Sequence, residues 1–319
     1  MRSSLAAEYL TIARHLRISR AEPVRSGSGD GLLFRGAARG VAGDAPAPVV
    51  QNVHVRKLLI GLGATMAVVV LIAVGVDFGA AIYAEYRLSR SLRTAAQLRW
   101  DPSAAILGFP FIPQAMRHHY DEVELRAAGV EHPVAGKVGL EATLHAVDLG
   151  QASWLVRPDV PLPVRKVESR IIIDSTHLGR FMAIPDLLVE APPRETNDAT
   201  GGTTESGISS NRGLVFTGTP NKAGYDKRVS ISVDLSIIGP DRTTLVFTAT
   251  GVLTGAGTAD QEVPQDKMAD VLAAFSTTMP GQRLPFGIAP TSQGARGSDI
   301  IVEGIAQGVT ITLGGFRQS

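Results

Sequence analysis

Cysteine is missing from all 319 residues. Disulfides, zinc–thiolate sites, iron–sulfur clusters and cysteine nucleophiles are therefore excluded. The absence does not assign a compartment, because a chain of this length can bury a sizeable core without covalent staples. Net charge is nearly missing too: 31 Lys and Arg against 30 Asp and Glu give a formal +1. The chain as a whole has no electrostatic pull on nucleic acid, and none is expected as a partner. Catalytic signatures are equally scarce. No H-E-x-x-H, P-loop or G-x-S-x-G elbow occurs, and Gly251 to Gly257 lacks the lysine a phosphate loop needs. His118 and His119 are adjacent, so their side chains diverge, while His132, His145 and His177 stand apart. Each reads as a surface or internally satisfied histidine. No catalytic residue, metal or cofactor is expected, and the chain does not read as an enzyme.

The near-neutral total hides a division. Residues 1–57 hold nine basic against four acidic side chains, a net of +5, and the remainder holds 22 against 26, a net of −4. Between the two parts lies an uncharged run of 19 residues, Leu58 to Val76, bounded by Arg56 and Lys57 and by Asp77. At 1.5 Å per residue it spans about 28 Å, close to a hydrocarbon core of about 30 Å. Eleven of the 19 are Leu, Ile or Val, together worth roughly −3 to −7 kcal/mol of insertion free energy. A soluble helix of this length would carry a polar stripe. The reading is an uncleaved signal anchor: Ile82-Tyr83-Ala84 is a poor cleavage site because its upstream position is large. The basic bias of the amino side puts the amino terminus inside and the larger domain outside, in the periplasm or cell envelope.

The domain division that follows is 1–54 as a disordered basic cytoplasmic tail, 55–84 as the transmembrane anchor, and 85–319 as the extracytoplasmic domain. Residues 190–212, rich in Gly, Thr and Ser, read as a mobile loop. After the anchor, the helix is expected to continue from Phe78 to Leu98, with Leu88, Leu92, Ala95 and Ala96 on one face and Asp101-Pro102 as the stop beyond it. Beyond it the dominant period is two. Val138 to Val147 and Val229 to Ile238 alternate cleanly, which predicts antiparallel strands with one face buried. Further strands are expected at 104–109, 122–128, 167–174, 213–219, 244–253, 300–305 and 309–313. Two helices interrupt them: Thr176 to Ala183 behind Ser175 as N-cap, and 265–278 with Met268, Val271, Leu272 and Phe275 on one stripe. The fold class is thus α+β: an N-terminal transmembrane helix, then a β-rich domain of curved antiparallel sheet packed on a few helices.

The most unusual stretch is Leu107-Gly108-Phe109-Pro110-Phe111-Ile112-Pro113-Gln114, directly after the anchor helix. Its prolines force the strand to end or bend. It reads either as a core-packing corner or as the apolar lip of a lipid site, and Leu284-Pro285-Phe286-Gly287-Ile288 is a second such turn. Candidate lipid-contacting residues are Leu107, Phe109, Phe111, Ile112, Phe181, Met182, Leu272, Phe275 and Phe286, as walls of a mostly apolar pocket.

These segments carry a resemblance. Gly108-Phe109-Pro110-Phe111, Gln114, Tyr120-Asp121-Glu122-Val123 and Gly129-Val130 are similar to the opening motif of the LmeA-like phospholipid-binding proteins of the actinobacterial cell envelope. Leu284 to Ile288, Ile301-Val302-Glu303-Gly304 and Val309-Thr310 resemble that family's closing motif. The resemblance covers roughly residues 85–313. The chain departs from the pattern at Ile112-Pro113 and at Arg117 to His119, and 191–212 reads as an insertion. The resemblance implies a non-enzymatic envelope protein whose partners are phospholipid and the bilayer, with a role in lipid transfer or the maturation of mannan-bearing lipoglycans. It also implies a fold similar in plan to tubular lipid-binding domains. The alternative is a structural or scaffolding module that binds an envelope enzyme. Topology has a direct check: a reporter active only in the cytoplasm, fused to the carboxyl terminus, is expected to stay silent, and activity there overturns the orientation.

Overall fold

The computed structural model describes residues 52–150, 159–191 and 213–317, with 52–54 described in backbone only. The sequence readings for the basic tail and for most of the 190–212 loop therefore lie outside the described residues.

Helix α1 runs unbroken from Asn52 to Ala96. Every residue from Val55 to Ala73 is exposed, and by length and composition this helix can cross a membrane. From Asp77 onward one side turns inward: Asp77, Ala84, Leu88, Leu92 and Ala96 are buried, with Ala80, Ala81 and Ala95 packed against the core. The spacing is that of one helix face. Arg87, Arg90 and Arg93 stay exposed, as the sequence pattern predicts. The helix stops at Ala96, two residues before the expected Leu98. Gln97 adopts φ 54, and the Leu98 amide reaches back to the Arg93 carbonyl at 3.0 Å, a left-handed cap that satisfies a terminal carbonyl.

The remaining elements are β1 (Ser103–Leu107), α2 (Phe111–Arg117), β2 (His119–His132), β3 (Gly136–Asp148), β4 (Leu162–Asp174), α3 (Ser175–Met182), β5 (Leu188–Glu190), β6 (Leu214–Gly218), β7 (Val229–Ile238), β8 (Thr244–Leu253), α4 (Gln265–Ala274), β9 (Thr277–Met279), β10 (Ser292–Arg296) and β11 (Asp299–Ile311). They build two antiparallel sheets, ordered β1-β2-β3-β4-β11-β10 and β5-β6-β7-β8-β9, and neither closes into a barrel. The architecture is α+β: an apolar amino-terminal helix, then antiparallel sheets with few helices. Strand β10, at the edge of the first sheet, approaches β5 and β7 of the second, and the buried side chains of both form one core.

Several details depart from the sequence reading. Helix α3 is capped by Asp174, whose carboxylate accepts the His177 amide, so Ser175 is its first residue rather than its cap. Helix α4 ends at Ala274, because Thr277–Met279 pair with β8, setting Phe247 against Thr277 and Leu245 against Met279. Residues 300–305 and 309–313 are not two strands: β11 is continuous to Ile311, and Gly308 takes φ 61 within it. Helix α2 and strands β5 and β10 have no counterpart in the pattern reading.

Two contacts tie the sheets' ends to the turns that cross them. His132 is buried: its Nδ1 accepts the amides of Val134 and Ala135 at 3.1 and 2.8 Å, which leaves Nε2 as the donor to the Gly281 carbonyl at 3.0 Å. Gly304 of β11 faces the turn at 284–289, where a Cβ would lie 2.4 Å from the Ala289 carbonyl oxygen and 2.6 Å from Leu284 Cδ1. Only the absence of a side chain lets this turn press onto the strand. Gly304→Ala is therefore expected to lower unfolding stability by about 1–3 kcal/mol through overpacking against backbone, read as a shift in the denaturant midpoint. An unchanged midpoint would show that the turn yields freely.

Candidate lipid site

Asp77 is the first charged residue after the apolar run, and the structure gives it two partners far along the chain. Its carboxylate accepts the amide of Phe111 at 2.8 Å and that of Ile112 at 2.7 Å. These are the first two residues of α2, whose leading amides have no partner within the helix. The third residue is Pro113, which has no amide to satisfy. Asp77 thus caps α2 from outside, and charge-assisted hydrogen bonds of this kind are among the stronger ones. The approach to α2 needs Gly108 at φ 104, where a Cβ would meet the Gln114 amide nitrogen at 2.6 Å. Gln114 is itself buried and its carbonyl oxygen accepts the Asp121 amide at 3.0 Å. Around this joint the rings of Phe78 and Phe109 stack with centroids 5.9 Å apart.

Among the described residues, two clefts of note open elsewhere. The larger, about 890 Å³, is walled by Ala95 at the end of α1, by Leu284, Phe286, Ile288 and Pro290, and by the carboxyl-terminal turn at Gly314 and Gly315, with Arg283, Arg317, Asp241 and Thr243 among its polar residues. Phe286 packs on Phe316, centroids 5.7 Å apart. The smaller, about 470 Å³, lies between residues 96–102 and Ala127–Glu131 of β2 and shares Arg317 with the larger. The Arg317 guanidinium donates to Gln97 Oε1 at 3.1 Å. A cleft of several hundred Å³ that mixes apolar and charged groups can seat an amphiphile.

With this geometry in view, comparison with known proteins is decisive on one point. The family model described as LmeA-like phospholipid-binding matches residues 75–305. The chain belongs to the LmeA-like phospholipid-binding family. No curated protein and no solved structure matches it.

The LmeA-like match begins just before Asp77 and takes in the corner, the second sheet, the first sheet as far as Ile305 of β11, and the Phe286 turn. The nine residues singled out in the sequence fall into three groups. Phe111, Met182 and Phe275 are buried in the core. Ile112, Phe181, Leu272 and Phe286 are partly buried against it. Leu107 and Phe109 are exposed, Phe109 by 64%. Of the nine, only Phe286 lines one of the two clefts. Arg283 and Arg317, the cleft's cations, were not foreseen. Nothing in the sequence marks a terminal arginine as neighbour of the Phe286 turn, because the contact depends on where the last strand ends.

The face of the first sheet turned away from the apolar core carries a largely buried charged ladder. One row of paired residues reads Arg126, Glu141, Arg170 and Glu303 across β2, β3, β4 and β11. Arg170 hydrogen-bonds Glu303, which is buried, and also Glu168 at 3.3 Å. Burial opposes the charge on Glu168, but Lys166, Arg170 and His145 hold its carboxyl below the usual range. Among the described residues no group of three or more His, Cys, Asp or Glu could hold a metal ion.

At the end of β4, His177 Nδ1 sits 2.8 Å from Asp174. The same carboxylate caps α3, so the pair serves the helix start. Burial works against the charge of Asp174, yet the His177 amide and ring hold its carboxyl below the usual range. Asp299, opposite Asp174 across the β4–β11 pairing, is pushed up by burial and then by the Asp174 charge. The signs are opposite. Asp174 contributes stability above its unfolded value of about 3.9, lost as pH falls through its lower folded value. The Asp299 charge costs stability at neutral pH, and the cost is relieved as pH falls through its raised folded value. Asp299→Asn is therefore expected to stabilise the protein at pH 7 by up to about 1 kcal/mol, with the gain gone below about pH 3.9. Chemical denaturation at the two pH values checks it; a loss at pH 7 overturns it.

Proposed function

We propose that this chain is a single-pass membrane protein that binds phospholipid outside the cytoplasmic membrane. The amino terminus lies inside and the domain beyond α1 lies in the cell envelope. It acts without catalysis, in lipid transfer or in the maturation of mannan-bearing lipoglycans. The observation that carries the reading is the family match over residues 75–305. The basic bias ahead of Leu58 supports the orientation. The cleft at the Phe286 turn supports a binding seat: acyl chains against Phe286 and Ala289, and the headgroup phosphate toward Arg283 and Arg317. Arginine suits phosphate because its planar fork can donate two bonds at once.

The scaffolding reading draws on one observation. Pairing of β1 with β2 stops at Arg126, so Ala127 to Glu131 presents strand backbone to the smaller cleft beside Trp100, which is 67% exposed. A partner's extended segment can add to such an edge.

The test uses the full chain in liposomes containing a phospholipid with a photoactivatable acyl chain. Crosslinks are expected on residues 283–290 as well as on the apolar span of α1. Phe286→Asp is expected to lower crosslinking at the cleft about tenfold, the equivalent of roughly 1.4 kcal/mol, within the worth of one buried aromatic side chain. Crosslinks confined to the span would remove the cleft as the lipid seat.

A further inference from the structure

Three large apolar side chains around the Asp77 joint are turned away from the core. Phe109 is 64% exposed, Phe78 52% and Met116, near the end of α2, 76%. Leu107 and the α1 residues Ile82 and Tyr83 are exposed as well. Exposed large apolar side chains gathered around one joint of a folded domain mark a contact with a membrane or a partner, and the joint itself indicates which. Phe78 lies two residues beyond Val76, about 3 Å along the helix. Phe109 stacks on it. Helix α2 hangs from Asp77 by its first two amides, 2.8 and 2.7 Å from the carboxylate. Its seven residues extend about 10 Å at most from that point. All three side chains are thereby held near the level at which the uncharged run ends. Arg117 and His118, next to Met116, are exposed, so the patch combines apolar bodies with groups able to meet phosphates, the composition of an interfacial segment.

We propose that Phe78, Phe109 and Met116 form an interfacial foot, seated in the headgroup–acyl boundary of the same bilayer that α1 crosses and fixed there by Asp77. The proposal rests on α1 being the membrane span, but not on the cleft at Phe286. Asp77 then has two tasks. Spending its charge on the α2 amides lets a carboxylate stand at the end of an apolar span, and the same bonds set α2 against the lipid surface. The foot gives the domain a second attachment besides α1, so that it cannot swing freely about the helix.

The absence of cysteine makes the test clean. Single-cysteine variants V69C, F109C, M116C and I238C of the full chain are spin-labelled in phosphatidylglycerol–phosphatidylcholine liposomes. Collision with oxygen and with a water-soluble nickel chelate is then measured. Ile238, at the end of β7 and 51% exposed, is the aqueous reference. Labels at 109 and 116 are expected to favour oxygen and to report a depth of about 5–10 Å, while 238 favours nickel. If 109 and 116 behave like 238 while 69 is lipid-buried, the foot is overturned and the anchor stands. If 69 is itself aqueous, the anchor reading fails and the foot with it. Shielding of 109 and 116 from both reagents reports a protein contact and also overturns the foot. D77A is expected to move the 116 label into water with 69 unchanged. Because D77A can also weaken the domain, the contrast between 116 and 238 in the parent chain decides the proposal without it.

Discussion

A carboxylate that accepts two backbone amides from a segment 34 residues away governs how the long apolar helix and the folded domain become one body. Asp77 would otherwise be a charge at the end of an apolar run, free to face water. Buried, it would carry a desolvation cost that only good partners offset. The partners it has are the two leading donors of α2, and these would be left unsatisfied without it. The chemistry is reciprocal: each side removes the other's unpaired group. A helix of seven residues is too short to persist by its own propensity, so α2 exists because it is held at its start by Asp77 and buried through Phe111 and Gln114.

From that joint, α1 serves as a measuring rod. Its buried face runs from Asp77 to Ala96, and the larger cleft begins at Ala95, about 27 Å further along at 1.5 Å per residue. The corner and the cleft are therefore separate places. The Phe-Pro-Phe stretch and the Pro-Phe-Gly turn look like two lips of one cavity when read as sequence. In the fold, the first is bound to the start of α1's buried face and the second to its end.

Much of this was legible where the signal is local. Alternation predicted β3 and β7, and the spacing of Leu88, Leu92 and Ala96 predicted the buried face of α1. Signals failed where a distant partner decides. The prolines around Phe111 argue for a bend, yet Pro113 falls at a helix position where an amide is dispensable, and no local rule shows that Asp77 supplies the cap. The stripe through Phe275 reads as helix to 278, but β8 claims Thr277 to Met279 for its own ladder. Ser292 to Arg296 is polar and short, and it is a strand because β11 offers an edge. Gly308 looks like a terminator, though β4 continues to pair on both sides of it. The same holds for the site: apolar candidates could be picked by type, but their fate as core, wall or surface depends on packing that sequence spacing does not encode.

The distribution of charge limits where a lipid can sit. The polar face of the first sheet is occupied by the ladder from Arg126 to Glu303, whose members already satisfy one another, and an acyl chain laid there would have to break those pairs. The buried face is filled by Leu, Ile, Val and Phe side chains packed into a single core. Between these two surfaces, apolar side chains reach solvent only where the packing ends, and the Phe286 turn is such a place. Gly304 lets that turn lie close on β11 and so brings Leu284 and Ile288 into the core. Phe286, at φ 62, is carried out to the cleft beside Phe316. A phospholipid needs apolar contact and cationic donors within one molecule's reach, and this turn offers both because the same fold brings Arg317 back to it from the end of the chain.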